Sequence, residues 1–279
     1  MFFGRECYRY PEILWQMLGE TKVETKASSR WWQPFIKAYI YLLGLPHVGY
    51  QLRASYFRRA IRQFKFNRAL DAGCGIGLYS FYLGKKNPWA MIDACDSNSG
   101  YIEAGKRILN QLKLSNVNIF QADLSQLSEI DKYDLIIGID VLEHIEDDGQ
   151  VLTNFHRALK DGGILYLTTP HVRHTKRYFQ SLRHESKGHI RAGYTEQGLT
   201  KLLQDNGFRV NKVRNVWGFF GEGCEELYML AILRLPLPFA SLLFPLLSII
   251  SSLDMLTRNS KGYGLLLIAQ KERNWSGSQ

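Results

Sequence analysis

Ala69-Leu-Asp-Ala-Gly-Cys-Gly-Ile-Gly77 carries an apolar strand pattern into a glycine-rich loop just before a helical pattern. Its chemistry is that of a nucleotide-like cofactor site. Gly73, Gly75 and Gly77 permit a tight turn and close backbone approach, and the amides opening the next helix favour negative charge. Carboxylates then recur at the intervals of a strand repeat: Asp96 ends Trp89–Asp96, Asp123 ends Asn116–Asp123, and Asp140 ends Tyr133–Asp140, with Val141-Leu-Glu-His144 following at once. An acid beyond the second strand, as Asp96 is, accepts two sugar hydroxyls where a 2'-phosphate would be repelled. The GxGxG spacing after Asp71 differs from the GxGxxG of dinucleotide sites.

Proton-transfer candidates follow the later strands. His144 sits just beyond the fourth strand, where an imidazole can take an acceptor proton near neutral pH or instead orient Glu143. His171 follows Thr168-Thr-Pro170, and Gly188-His-Ile-Arg-Ala-Gly-Tyr194 supplies His189, Arg191 and Tyr194. A histidine there could position a hydroxyl and an arginine could bind carboxylate or phosphate; the alternative is a helix-entry loop held by local hydrogen bonds. Seven histidines and four cysteines make no closed-site spacing, so no metal is expected. Cys7, Cys74, Cys95 and Cys224 are widely separated, which argues for a reducing, cytoplasmic setting, and residues 1–10 carry no signal-peptide pattern.

The elements that must position these groups alternate. Apolar runs at Arg68–Asp71, Trp89–Asp96, Asn116–Asp123, Tyr133–Asp140, Gly163–Thr169, Phe208–Val216 and Gly264–Lys271 predict strands. Helices are predicted over Gly100–Leu112, Asp147–Leu159 and Thr195–Asn206, with Asp161-Gly-Gly163 as the turn into the fifth strand. Such a βα repeat builds a mostly parallel sheet with its ligand loops at the carboxyl ends of the strands.

This ordered set of motifs, over about residues 65–215, resembles the class I S-adenosylmethionine-dependent methyltransferases, especially the branch acting on small molecules and lipid-like quinone precursors. The resemblance implies an α/β, Rossmann-like sheet and S-adenosylmethionine as methyl donor. It places Asp71 near the methionyl ammonium and Gly73, Gly75 and Gly77 around the methionyl and ribose portions. Asp96 would receive the ribose hydroxyls, Asp123 and Leu124 would lie near adenine, and Asp140 joins the cofactor set. From the residues themselves, His144 and His189 are the catalytic candidates, with His171, Arg191 and Tyr194 on the acceptor side.

Two regions stand outside the repeat. Residues 1–66 form an aromatic, basic extension with Trp31-Trp32 and an apolar helical stripe of Leu52, Tyr56, Phe57, Ala60, Ile61 and Phe64, which would cover the cofactor cleft or pack on the central sheet. Residues 220–262 form an apolar insertion between the core segments 67–219 and 263–272. Within it, Leu235–Leu253 holds nineteen residues without formal charge, a length that raises a membrane span. Pro236, Pro238 and Pro245 argue instead for a broken hairpin or a lid against lipid.

The net charge of +9 is concentrated in Arg53, Arg58, Arg59, Arg62, Lys65 and Arg68, and again in Lys176, Arg177, Arg183, Lys187 and Arg191. Such patches attract phosphorylated substrates, nucleic acid or acidic lipids, or are an ordinary solvated face. The apolar insertion beside a basic, aromatic loop favours a small, lipid-like or prenylated acceptor, handled by a cytoplasmic protein in peripheral contact with a membrane. Asp140-Val-Leu-Glu-His144 stands where nucleic-acid amino methyltransferases carry an Asn-Pro-Pro-Tyr signature, so nucleic acid ranks lower. RNA methylation and a noncatalytic cofactor-binding protein remain the alternatives, and the oligomeric state is open.

Overall fold

The computed structural model describes residues 33–172, 189–235, 237–257, 259–273 and 275. Trp31-Trp32, Cys7 and the basic residues Lys176, Arg177, Arg183 and Lys187 lie outside the described residues. Among those described, the chain divides into two units, one formed by residues 33–63 and 217–259 and the other by the remainder.

The larger unit is built on a seven-stranded sheet of β1 (Arg68–Ala72), β2 (Met91–Asp96), β3 (Val117–Gln121), β4 (Tyr133–Ile139), β5 (Leu159–Pro170), β6 (Phe208–Val216) and β7 (Gly264–Lys271), in the order β3-β2-β1-β4-β5-β7-β6. β1 to β5 pair in parallel, and β7 runs antiparallel between β5 and β6. The parallel strands are near-continuous apolar runs because both faces are covered: Ala69, Leu70, Ile136, Ile137, Leu165 and Leu167 are fully buried. Helices α3 (Leu78–Lys86), α4 (Ser99–Leu112), α5 (Asp148–Ala158) and α6 (Glu196–Asp205) connect them. Asn98, Asp147 and Thr195 cap α4, α5 and α6 through side chains that accept amide hydrogens, which sets those starts.

Most predicted elements are present, with physical reasons for the departures. The Asp161-Gly-Gly163 turn is absorbed into β5, which starts at Leu159. Gly162 takes φ +72 there, and the β4–β5 register shifts between Tyr133 and Leu135, a bulge in place of a loop. Asp123 lies past the end of β3 and caps a 3-10 turn, Leu124–Gln126.

The smaller unit is helical: α1 (Gln33–Leu43), α2 (Val48–Ile61), α7 (Phe219–Arg234) and α8 (Leu237–Ser251), ending in a 3-10 turn, Ser252–Met255. Of the stripe expected on α2, Leu52, Tyr56, Phe57, Ala60 and Ile61 are buried, whereas Phe64 lies past the helix end and is half-buried. Its helical neighbours are α7 and α8. Val48, Cys224, Tyr228, Phe244 and Leu247 form a core of this unit. Asp254, fully buried, accepts from the amides of Gly218 and Phe220 and so holds the start of α7.

Pro236 lies outside the described residues, between the end of α7 at Arg234 and the start of α8 at Leu237, and the other two prolines do not interrupt α8. Pro238 falls in the first turn of α8, where an N–H has no intrahelical partner, and Pro245 lies within the helix. Burial of Ala240, Phe244 and Leu247 on the inward face offsets the lost hydrogen bond. No helix of the described residues is long and apolar enough to cross a membrane.

Candidate functional site

The strand order reverses at β1, which lies between β2 and β4, and the crevice beyond the carboxyl ends of β1 and β4 is where an open α/β sheet takes a ligand. The loop after β1 turns on Gly73, Gly75 and Gly77, at φ +72, +55 and +87, a backbone region that side chains rarely adopt. Its turn is fixed by the amides of Gly73 and Cys74, which donate to Cys95 O at 2.8 and 2.9 Å. A Cβ on Gly73 would drive into Val141, the residue after Asp140, so the loops after β1 and β4 meet in direct contact.

Asp96, half-buried at the end of β2, accepts from Gly75 N and from Asn98 N, each at 2.9 Å. Its carboxylate is therefore tied to the glycine loop. Asp123 is exposed and accepts from the amide and hydroxyl of Ser125. Leu124 beside it is buried, and Asn154 of α5 donates to the carbonyls of Leu124 and Ser125, fixing that loop from behind. The sequence reading did not single out Asn154, a polar residue on a buried helix face.

Asp71 is buried at the end of β1 and accepts a 2.5 Å hydrogen bond from Ser80 Oγ. Burial pushes its carboxyl up to about 7; the Ser80 hydrogen bond opposes this and the nearby Asp96 charge adds to it. Among the described residues no cation is paired with it. A buried carboxylate raised in this way is stabilised by an incoming ammonium, so the site fits the methionyl end of the implied donor. Ser80 also escaped the sequence reading; the one signal for it is a hydroxyl within the apolar first turns of α3.

Asp140 takes φ +53, donates its amide to Thr168 O and accepts from Thr168 Oγ1 at 2.9 Å. The chain then makes a 3-10 turn over Leu142–His144. Here the structure joins two predicted groups. The rings of His144 and His189 meet edge to face with centroids 4.5 Å apart, and Ile190 N donates to Glu143 O. Glu143, His144 and His189 each place one donor atom within 4.8 Å of the others, a grouping that could hold a metal ion although their spacing in the chain did not show it.

Arg191 and Tyr194 form the brace of this loop. Arg191 donates to Ile145 O at 2.7 Å and Glu146 O at 2.8 Å and pairs with Asp148, while Tyr194 Oη donates to Asp148 at 2.6 Å. Burial, with the Asp148 hydrogen bond and charge, holds the Tyr194 phenol protonated far above its ordinary range. His171 pairs through a β-bridge with Tyr194 and donates its amide to Tyr263 O, so it stands at the end of β5 beside this brace. The cofactor candidates thus gather at the ends of β1 to β4, and the acceptor candidates share one loop cluster beyond β4 and β5.

Comparison with known proteins adds a family. A model of the methyltransferase domain matches residues 47–213. The ubiquinone biosynthesis O-methyltransferase of Coxiella burnetii (strain RSA 493 / Nine Mile phase I) is 29% identical over 140 residues, covering 50% of this chain and 56% of that protein. The enzyme of the same name from Rickettsia typhi (strain ATCC VR-144 / Wilmington) is 29% identical over 168 residues, 57% of this chain and 63% of its own length. The chain spans a little over half the length of these relatives. Among solved structures, the [4+2]-cyclase SpnF is similar with a TM-score of 0.57 at 18% identity, over 80% of this chain and 83% of that one, a likeness of fold.

Proposed function

The chain belongs to the methyltransferase-domain family, and on that footing we propose that it transfers a methyl group from S-adenosylmethionine to a small, lipid-like or prenylated acceptor. The observation that carries the reading is the buried Asp71 carboxylate beside the left-handed Gly73–Gly77 loop, tied to Asp96 through Gly75 N. Asp71 would hold the methionyl ammonium, Gly73, Gly75 and Gly77 would admit the methionyl and ribose portions, and Asp96 would exchange its amide partners for ribose hydroxyls. Asp123 and Leu124 would border adenine, and Asp140 would close the pocket from β4.

When bound, S-adenosylmethionine supplies an electrophilic methyl group on a sulfonium. The protein's task is to line up the acceptor opposite the departing sulfur and to exclude water. His144 and His189 would accept the acceptor proton, the edge-on contact fixing one ring against the other. Arg191 and Tyr194 would hold that loop in place, and His171 would face the acceptor. No metal step enters this reading.

The kinship with ubiquinone O-methyltransferases favours a quinone-like acceptor, and the apolar helices α7 and α8 favour one with a hydrocarbon body, met by a cytoplasmic protein at the periphery of a membrane. The test is to incubate the full chain with isotopically labelled S-adenosylmethionine and cell-derived polar, lipid and RNA fractions, and to identify labelled products by mass spectrometry. A labelled prenyl or acyl product supports the reading. Label in RNA alone overturns the acceptor, and donor binding without transfer to any fraction overturns catalysis.

A further inference from the structure

Helix α8 is inside out for a helix in water. Its outward face, continued through the 3-10 turn, presents Phe239, Leu242, Leu246, Ile249, Leu253 and Leu256 at alternating three- and four-residue spacing, each between 41% and 78% exposed. Its inward face carries Ser241, Ser248 and Ser251 with Ala240, Phe244 and Leu247, all buried. A surface helix of a globular protein turns its serines, not its leucines, to water. Helix α1 adjoins α8, where Tyr39 Oη donates to Ser241 O at 2.7 Å and the Tyr39 ring leans on Phe244. It also exposes Phe35, Tyr41 and Leu42. Exposed apolar surface this continuous marks an interaction face.

The charges of the same unit identify the partner. Lys37, Arg59, Arg62 and Arg234 are exposed, whereas the acids of the described residues, Glu222, Glu225, Glu226 and Asp254, are half-buried or buried. Glu222 is drawn so far inward that burial, with the charges of Asp254, Glu226 and Glu225, pushes its carboxyl up to about 7. Every exposed charge this unit offers among its described residues is therefore positive. An apolar stripe accompanied, among the described residues of its unit, by exposed charge that is cationic suits an anionic lipid surface, since the stripe enters the acyl boundary while Lys and Arg remain with the headgroups.

We propose that the α8 stripe, with the exposed face of α1, docks the protein onto an anionic phospholipid bilayer, α8 lying in the plane of the interface. With fifteen residues, α8 is too short to span the hydrocarbon core. The proposal deepens the membrane contact of the reading above by naming the face and the lipid charge, and it rests on that reading only for its purpose.

The test is co-sedimentation of the full chain with phosphatidylcholine vesicles prepared with and without phosphatidylglycerol. Binding to the anionic vesicles, weakened by salt, is expected. Leu242→Glu with Leu246→Glu should lower it about a hundredfold, since each leucine contributes about tenfold to partitioning, with circular dichroism and affinity for S-adenosylhomocysteine unchanged. Lys37→Glu with Arg234→Glu should remove the preference for phosphatidylglycerol. A folded wild-type chain that ignores anionic vesicles, or a leucine double variant that binds as well, overturns the proposal. Sedimentation velocity showing a dimer that the leucine variant dissociates also overturns it, by assigning the stripe to a second copy. Because donor affinity is measured on the same variants, loss of the docking face is distinguishable from loss of methyl transfer.

Discussion

Replacing Asp71 by asparagine separates the stability of this protein from its binding function. Burial lifts the Asp71 carboxyl from 3.8 to about 7. Between those values the folded chain holds a proton that the unfolded chain has released, so stability falls as pH rises from about 4 to about 7. The interval corresponds to about 4 kcal/mol at roughly 1.4 kcal/mol per decade, an upper value because relaxation of the structure around the buried charge absorbs part of it. The asparagine side chain keeps an oxygen for Ser80 and carries no charge. The ligand-free variant is therefore expected to be more stable than wild type near pH 8, by up to about 4 kcal/mol, with the gap closing near pH 4. Affinity for S-adenosylhomocysteine should move oppositely: Asp71→Asn loses the ammonium partner, and wild-type affinity declines as pH falls below about 7 and Asp71 protonates. Urea denaturation across this range measures the first effect. Calorimetry near pH 7 in buffers of different ionisation heat measures the second as protons released on binding. If the variant is no more stable than wild type at high pH, or if binding releases no proton, the assignment of Asp71 as a strained anion awaiting a cation is wrong.

Other consequences follow from the same loops. Asp96→Ala removes the acceptor of Gly75 N and Asn98 N and is expected to weaken S-adenosylhomocysteine binding by about 1–3 kcal/mol; equal affinity of a folded variant by calorimetry would refute the ribose role. Gly73→Ala meets both a positive φ and Val141, so cofactor binding should be lost, and adding Val141→Ala should restore the steric part while leaving about 1–2 kcal/mol of backbone cost in thermal melts. Methyl transfer should survive a chelator; an activity lost to chelation and restored by a divalent cation, with metal binding by calorimetry abolished in His189→Ala, would place a metal at Glu143, His144 and His189.

The parts of this site that were legible in the sequence are those set by local backbone chemistry. Three glycines in GxGxG permit the left-handed turns that the loop takes, and Asp96 and Asp140 fall at strand ends because apolar runs stop there. β6 and β7 were legible to the residue for the same reason. The β5 start was not, because Gly162 can make either a turn or a bulge and only pairing with β4 chooses. The meeting of His144 with His189 was equally hidden. They stand forty-five positions apart, and the contact is made by Arg191 and Tyr194 bracing one loop on Asp148.

Residue order by itself determined the alternation of strands and helices, the cofactor loop and the family resemblance, since these depend on short-range periodicity and turn chemistry. Tertiary structure decided which charges lose water and which apolar faces keep it. Asp71 is an ordinary aspartate until β1 and α3 close around it. Leu235–Leu253 carries no formal charge on any side, and the ordinary rule that serines face water would have chosen the wrong stripe. That choice belongs to α1, α2 and α7, which take up Ala240, Phe244 and Leu247 with the serines and leave the leucines outside.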